Sequence, residues 1–174
     1  DTAFFDKSPK FLKYIPDVVV INNIEFDHAD IYRNLDDVQL AYKRLVNLVP
    51  KNGLLLLGAD NNHTLALRDF SVSPVSTFGF SNGADWQAYN IAIVNGRTRF
   101  SVRQKGVEFG EFELQLPGAH NVSNALGAIA VGAHRGLDSG ALADGLKVFQ
   151  GIKRRLEVLG IVDGVTIFDD FAHH

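Results

Sequence analysis

The chain has no cysteine and no methionine among its 174 residues, and a single tryptophan. Without cysteine it cannot be a secreted cystine scaffold. No apolar run approaches the roughly 18 residues that cross a bilayer. No charge sign dominates: 17 Lys and Arg stand against 20 Asp and Glu, a net charge of −3. That balance argues against non-specific nucleic-acid binding, which needs a basic surface. The glycine-rich phosphate loop G-x-x-x-x-G-K-[ST] does not occur either, nor does any internal repeat or low-complexity tract. What remains is 46% hydrophobic and 21% charged, the balance of a soluble globular protein. Leu, Ile, Val and Phe are abundant enough to exclude intrinsic disorder. A chain of this length buries roughly 70% of its unfolded surface and folds without a disulfide or a metal. A cytoplasmic protein fits this composition.

Both ends read as cuts. Asp1 is not a start codon residue, and no signal peptide or lipidation motif accounts for it. The chain stops at Asp169-Asp170-Phe171-Ala172-His173-His174, directly after an apolar strand pattern. The expectation is an excised part of a longer protein. A purification tag beginning at His173 is the competing reading, and two histidines are few for one.

The pattern alternates strands and helices. Val18-Val19-Val20-Ile21, inside 17–24, has no alternation and predicts a strand buried on both faces, as in parallel sheets. Over 34–49, Leu35, Val38, Tyr42, Leu45, Val46 and Val49 form one helical stripe, ended by Pro50 and Gly53. Leu54 to Leu57 predicts a second buried strand, and Asn61 or Asn62 a cap for a short helix through Arg68. Residues 76–80, 86–94, 97–104 and 107–116 read as strands of a small antiparallel sheet, with Asn95-Gly96 and Lys105-Gly106 as hairpin turns. Val122, Ala125, Leu126, Ile129, Ala130 and Ala133 then mark a helix closed by Gly136. Ser139 caps another that buries Leu142, Leu146 and Phe149. Strands over 156–161 and 165–168 flank Asp163-Gly164. The expected fold class is α/β: a parallel-sheet core with a small antiparallel side sheet. The best boundary lies at 151–155.

Four segments could carry chemistry. In Asn22-Asn23-Ile24-Glu25-Phe26-Asp27-His28-Ala29-Asp30, three acids and one His leave the carboxyl end of a parallel strand, where open sheets place ligands. They could hold a hard cation such as magnesium, which keeps waters and phosphate oxygens. The plainer reading is a solvated loop in which Asp30 caps a helix. In Leu116-Pro117-Gly118-Ala119-His120-Asn121-Val122-Ser123-Asn124-Ala125, two carboxamides three residues apart share a face near a helix N-terminus. That suits a nucleotide; simple capping by Asn121 competes with it. Gly151-Ile152-Lys153-Arg154-Arg155-Leu156-Glu157 could grip phosphate or ribose through its consecutive basic residues, or be an exposed turn paired with Glu157. The fourth is the acid–histidine run at the end, whose plain reading is a truncated loop.

In this order, the four segments resemble the Mur ligase family, ATP-dependent amide-bond-forming enzymes of bacterial peptidoglycan metabolism. The resemblance covers nearly the whole chain. It implies a P-loop-NTPase-like central domain over 1–150, lacking its phosphate-loop part, and a hinge with the first strands of the C-terminal domain over 151–174. The segments Asn-Asn-Ile-Glu-Phe-Asp-His-Ala-Asp and Lys-Arg-Arg-Leu-Glu-Val resemble most the branch that joins UDP-N-acetylmuramate to the recycled tripeptide L-alanyl-γ-D-glutamyl-meso-diaminopimelate. The branch that adds L-alanine to the same sugar nucleotide is the nearest alternative, and Phe26 favours the recycling branch.

The resemblance further implies that His28 binds magnesium beside the ATP γ-phosphate. It implies that Asn121 and Asn124 contact the nucleotide, with Asn124 nearest adenine. Arg155 would contact ATP from beyond the hinge and, with His28, count as catalytic; Asp170 would hold the ribose. Lys43, 15 residues beyond His28, stands where some members carry a carbamylated lysine that ligates magnesium. On a helix bearing Asp36 and Gln39, a plain surface lysine is the simpler reading. The phosphate loop, the magnesium-binding Glu, the sugar-nucleotide domain and most of the amino-substrate domain of the family are missing, so the fragment alone is expected to be inactive. A complete non-catalytic nucleotide-binding or scaffold module is the alternative from another class.

Overall fold

The computed structural model describes residues 6–155 and 157–171. Asp1, Leu156, Ala172, His173 and His174, on which parts of the sequence reading fall, lie outside them. Six strands form one sheet in chain order: β1 (Val18–Ile21), β2 (Leu54–Gly58), β3 (Val75–Gly79), β4 (Trp86–Val94), β5 (Arg97–Gln104) and β6 (Val107–Leu114). Strands β1 to β4 run parallel, and β4 to β6 antiparallel. The antiparallel block is therefore present and is continuous with the parallel part, joined through the pairs Phe78↔Trp86 and Gly79↔Gln87. The strand expected at 76–80 belongs to the parallel part, in register with β2 from Leu55↔Val75.

Strand β2 reaches two cores because alternate side chains point to opposite faces. Leu54 and Leu56 pack with Phe78, Trp86, Phe100 and Phe112 beneath helix α3 (Ala119–His134). Leu55 and Leu57 pack with Val19, Ile21, Val38 and Val46 beneath helix α1 (Leu35–Val46). The expectation that β1 is buried on both faces needs correction: Val20 is 40% exposed. Strand β1 lies at the sheet edge among the described residues. Helix α3 packs mainly across β2 to β5 and covers Val20 of β1 only in part.

Helix ends follow local chemistry. The Asn34 side chain accepts from Asp37 N and starts α1. The helix stops at Val46, earlier than the apolar stripe suggests. Pro50 disfavours helical backbone at the residue before it, so Leu48 N and Val49 N turn back to the Leu45 and Val46 carbonyls and Val49 stays buried. Helix α2 (Asn62–Leu65) is capped by Asn61 and runs into a 3-10 turn, Ala66–Phe70. Gly136, at φ +90°, closes α3 as expected: Leu137 N bonds to Gly132 O and Gly136 N to Ala133 O.

Helix α4 (Ser139–Val148) is capped by Asp138, whose carboxylate accepts from Ala141 N, and not by Ser139, which is its first helical residue. It docks on β6 and α3 through small residues. A Cβ on Gly132 would stand 2.3 Å from Leu142 Cδ2. Phe149, expected to be buried, lies beyond the last helical turn and is exposed. Strands β7 (Glu157–Val162) and β8 (Val165–Asp169) form a separate hairpin whose apolar side chains are exposed on both faces. Its turn Asp163-Gly164, like Asn95-Gly96 and Lys105-Gly106, has positive φ at both residues, as a type I′ turn requires.

On the solvent face of the antiparallel strands, Glu113 accepts from Arg97 Nη1 at 2.6 Å and Arg99 Nε at 2.7 Å. These guanidiniums hold its carboxyl below the usual carboxylate range. The stabilisation is present at neutral pH and fades as pH falls through that lowered value. An NMR titration of Glu113 should move back toward the ordinary value of about 4.3 in an Arg97→Ala, Arg99→Ala variant. Leu56→Ala should cost roughly 2–5 kcal/mol in urea unfolding. Val158→Ala, in the exposed hairpin, should stay within about 0.5 kcal/mol.

Candidate nucleotide site

The carboxyl ends of β1, β2 and β3 face one edge of the sheet, and their loops build the site. The loop after β1 leaves Ile21 against its partner Leu57. Asn22 O then passes so close to Gly58 that a Cβ there would stand 1.9 Å away. Only glycine admits this approach. Ile24 is buried in the α1 core, and its carbonyl accepts from Asn61 Nδ2 at 3.3 Å. The same Asn61 caps α2 through its Oδ1, which accepts from His63 N and Thr64 N, both at 3.0 Å. One carboxamide thus ties the first loop to the second.

The three acids of the first segment do not converge. Glu25 accepts from Asn23 Nδ2 at 2.8 Å. Asp27 Oδ1 accepts from His28 N at 2.6 Å, with Asp27 Oδ2 lying 3.6 Å from His28 Nε2. His28 sits at φ +55°, and its carbonyl accepts from Ile31 N and Tyr32 N. Among the described residues no three His, Cys, Asp or Glu side chains gather as a metal cage. The donor set suits an ion that takes one or two protein ligands and fills its other positions with phosphate oxygens and water, as magnesium does. Lys43 Nζ lies 4.3 Å from the centroid of the Phe70 ring, a contact that needs its positive charge.

The first and second segments meet. Asn22 Nδ2 donates to Asn124 Oδ1, across 102 residues of sequence. Helix α3 lies close to β1 because Gly127, one turn beyond Asn124, leaves room: a Cβ there would be 3.2 Å from Val20 Cγ1. Asn121 does not cap the helix. Gly118, at φ +100°, holds the N-cap position, and Asn121 Nδ2 instead donates to Pro117 O at 2.7 Å. A cavity of about 550 Å³ opens here, with Asn22 and Asn124 at its polar end and Val20, Gly127, Val131 and Leu142 in its apolar floor.

The third and fourth segments meet at the root of the hairpin. Arg154 N donates to Glu157 Oε2, Arg154 O accepts from Phe171 N, and Arg154 Nε lies 3.9 Å from Asp169 Oδ2. Their neighbours Arg155 and Asp170 are exposed and hold no hydrogen bond or ion pair among the described residues. Sequence reasoning missed Asp60, whose carboxylate accepts from Phe80 N, Ser81 N and Ser81 Oγ and pins the loop after β3. The signal was faint: Gly79, whose Cβ would stand 2.4 Å from Asp60 Oδ2. It also missed Asn22 as the partner of Asn124.

Fold and site define an open α/β protein with its ligand loops at the carboxyl edge of the parallel strands. The model of the Mur ligase middle domain matches residues 7–132, and the chain belongs to the Mur ligase family. Members of this family are ATP-dependent ligases. The chain is 36% identical over 174 residues to the UDP-N-acetylmuramate–L-alanine ligase of Caldanaerobacter subterraneus subsp. tengcongensis, covering 99% of this chain and 38% of that protein. It is 38% identical over 177 residues to the UDP-N-acetylmuramate–L-alanyl-gamma-D-glutamyl-meso-2,6-diaminoheptandioate ligase of Haemophilus influenzae, covering 100% of this chain and 38% of that protein. Among solved structures it resembles the UDP-N-acetylmuramate:L-alanyl-gamma-D-glutamyl-meso-diaminopimelate ligase of Neisseria meningitides, with a TM-score of 0.76 and 36% identity over 88% of this chain and 46% of that one. The chain therefore spans less than half the length of these relatives. Among the described residues no helix is long and apolar enough to cross a membrane.

The glycine contacts make a paired test. Gly58→Ala should destabilise by about 1–3 kcal/mol, because Asn22 O must move. Gly145→Ala, on an open face of α4 with nothing within 4 Å, should stabilise by about 0.5–1 kcal/mol. Urea midpoints compare the two.

Proposed function

We propose that the protein carrying this chain is a cytoplasmic ATP-dependent ligase that joins UDP-N-acetylmuramate to L-alanyl-γ-D-glutamyl-meso-diaminopimelate, a step of peptidoglycan recycling. The carrying observation is the hydrogen bond from Asn22, which opens the segment that carries His28, to Asn124 of α3 at the carboxyl edge of the parallel strands, in a chain of this family. In this reading the muramate carboxylate takes the γ-phosphoryl group of ATP and ADP leaves. The peptide amine then attacks the acyl-phosphate, and inorganic phosphate leaves as the amide forms. Charge concentrates on the transferring group, so positioned donors and a cation supply the main stabilisation.

Each residue has a place in this reading. Asn124 and Asn121 contact the nucleotide. His28 is the ligand this chain offers to magnesium, which would offset the phosphate charge. Arg155 and Asp170, exposed beside the ordered Arg154–Asp169 pair, approach ATP from a second domain that begins near residue 151. The two exposed faces of the β7–β8 hairpin suit a piece of such a domain. The apolar floor of the cavity and the edge of β1, which pairs only with β2 among the described strands, suit a further strand and helix, which in this family carry the phosphate loop. Lys43 stays outside the metal site, since a carbamate would be anionic and would lose the contact with Phe70.

A second reading, addition of L-alanine to the same sugar nucleotide, is favoured by the L-alanine ligase among the similar proteins. The test uses the whole protein with ATP, magnesium and UDP-N-acetylmuramate, given either the tripeptide or L-alanine. Phosphate release with the tripeptide is the expected result, and His28→Ala should lower it by roughly 10²-fold or more. Release with L-alanine alone would move the protein to the second reading. Release with neither amine would overturn the ligase reading.

A further inference from the structure

We propose that Asn22 is a positioning residue for the nucleotide: by donating to Asn124 Oδ1 it sets which end of the Asn124 carboxamide faces the ligand. The inference rests on the reading that Asn124 contacts the base. A primary carboxamide has one accepting and one donating end, and a half-turn about its last bond exchanges them at almost no cost in shape. Left alone, an exposed asparagine samples both. Here the donor Nδ2 of Asn22 is engaged by Asn124 Oδ1. Among the described residues the Nδ2 hydrogens of Asn124 then have no hydrogen-bond partner and are left for an acceptor such as a purine ring nitrogen.

The backbone on both sides is fixed, so the two carboxamides stay within reach of each other. Asn22 follows the last ladder pair of β1 and lies against Gly58. Asn124 precedes the buried Ala125 and Leu126 on a helix packed across β2 to β5, with Gly127 close to Val20. Asn23, the other carboxamide nearby, is committed to Glu25 and does not compete. Asn22 and Asn124 lie together at the polar end of the same cavity. Asn22→Asp keeps the shape but replaces the donor by an acceptor. Two acceptors then face each other, and Asn124 must turn its Nδ2 inward and its Oδ1 toward the ligand.

The experiment is a double-mutant cycle on the whole protein, titrating ADP with magnesium by calorimetry. Wild type, Asn22→Asp, Asn124→Ala and the double variant are compared, with urea midpoints showing that each is folded. Asn22→Asp should weaken ADP binding by roughly 5- to 10-fold. In the Asn124→Ala background the same change should do nothing more, because there is no carboxamide left to orient. Additive losses would assign Asn22 a structural or direct role and overturn the proposal. Wild-type affinity in Asn22→Asp beside a weakened Asn124→Ala would overturn it while leaving the nucleotide reading intact. Unchanged affinity in Asn124→Ala would overturn both. Should Asn22→Asp fail to fold, Asn22→Ala enters the same cycle, and additive losses there overturn the proposal in the same way.

Discussion

The close approach of β1 to β2 is the contact on which the rest of the site depends. Two strands in parallel register bring Asn22 alongside Gly58, where no side chain larger than hydrogen fits. That approach sets the direction in which the chain leaves the sheet. Ile24 then reaches the α1 core, Asn61 reaches back to the Ile24 carbonyl, and the loops after β1 and β2 become one unit. On the other face Gly127 plays the matching part, letting α3 settle near Val20. The polar groups at the sheet edge are thus placed by glycines that carry no chemistry of their own.

A division of labour follows. The leucines of β2 supply hydrophobic burial to both layers at once, so the centre of the sheet does not depend on polar contacts. The edge loops are held by asparagine and aspartate hydrogen bonds to backbone groups, chiefly from Asn61 and Asp60. Such bonds fix direction better than they add stability. In the proposed reading, ligand groups at this edge would meet a fixed frame, while the ion pairs of the antiparallel strands stand on a different, solvent-facing surface.

Much of this was legible in the sequence, for definite reasons. The unbroken Leu54 to Leu57 run announced a strand buried on both faces, and the X-Gly pairs announced turns that need positive φ twice over. The stripe of α3 and its closing Gly136 follow from helical periodicity. The four quoted segments pointed to the family that the middle-domain match shows. What was not legible depended on the sheet order. The Val18 to Ile21 run looks like β2 in isolation, yet Val20 is only partly covered because β1 lies at the sheet edge among the described residues. Asp138 and Ser139 are both able to cap, and local sequence does not say which of two adjacent residues is the last extended one. The pairing of Asn22 with Asn124 is a long-range fact that no local pattern contains. At the hairpin root, neighbouring residues point different ways, so the ordered pair is Arg154 with Asp169, one position from each residue the motif singled out.

The strands of the main sheet stand in the order in which they occur along the chain. No strand has to be inserted between two that are already paired. During synthesis each new strand can therefore be laid against the edge left by the one before, with α1 and then the 3-10 turn covering one face as they appear. Helix α3 arrives only after β6 and closes the opposite face in a single step. Until that moment Phe78, Trp86, Phe100 and Phe112 lack their cover. A chain laid down in this order carries an exposed aromatic face, the kind of surface that favours aggregation, from residue 114 until α3 is complete.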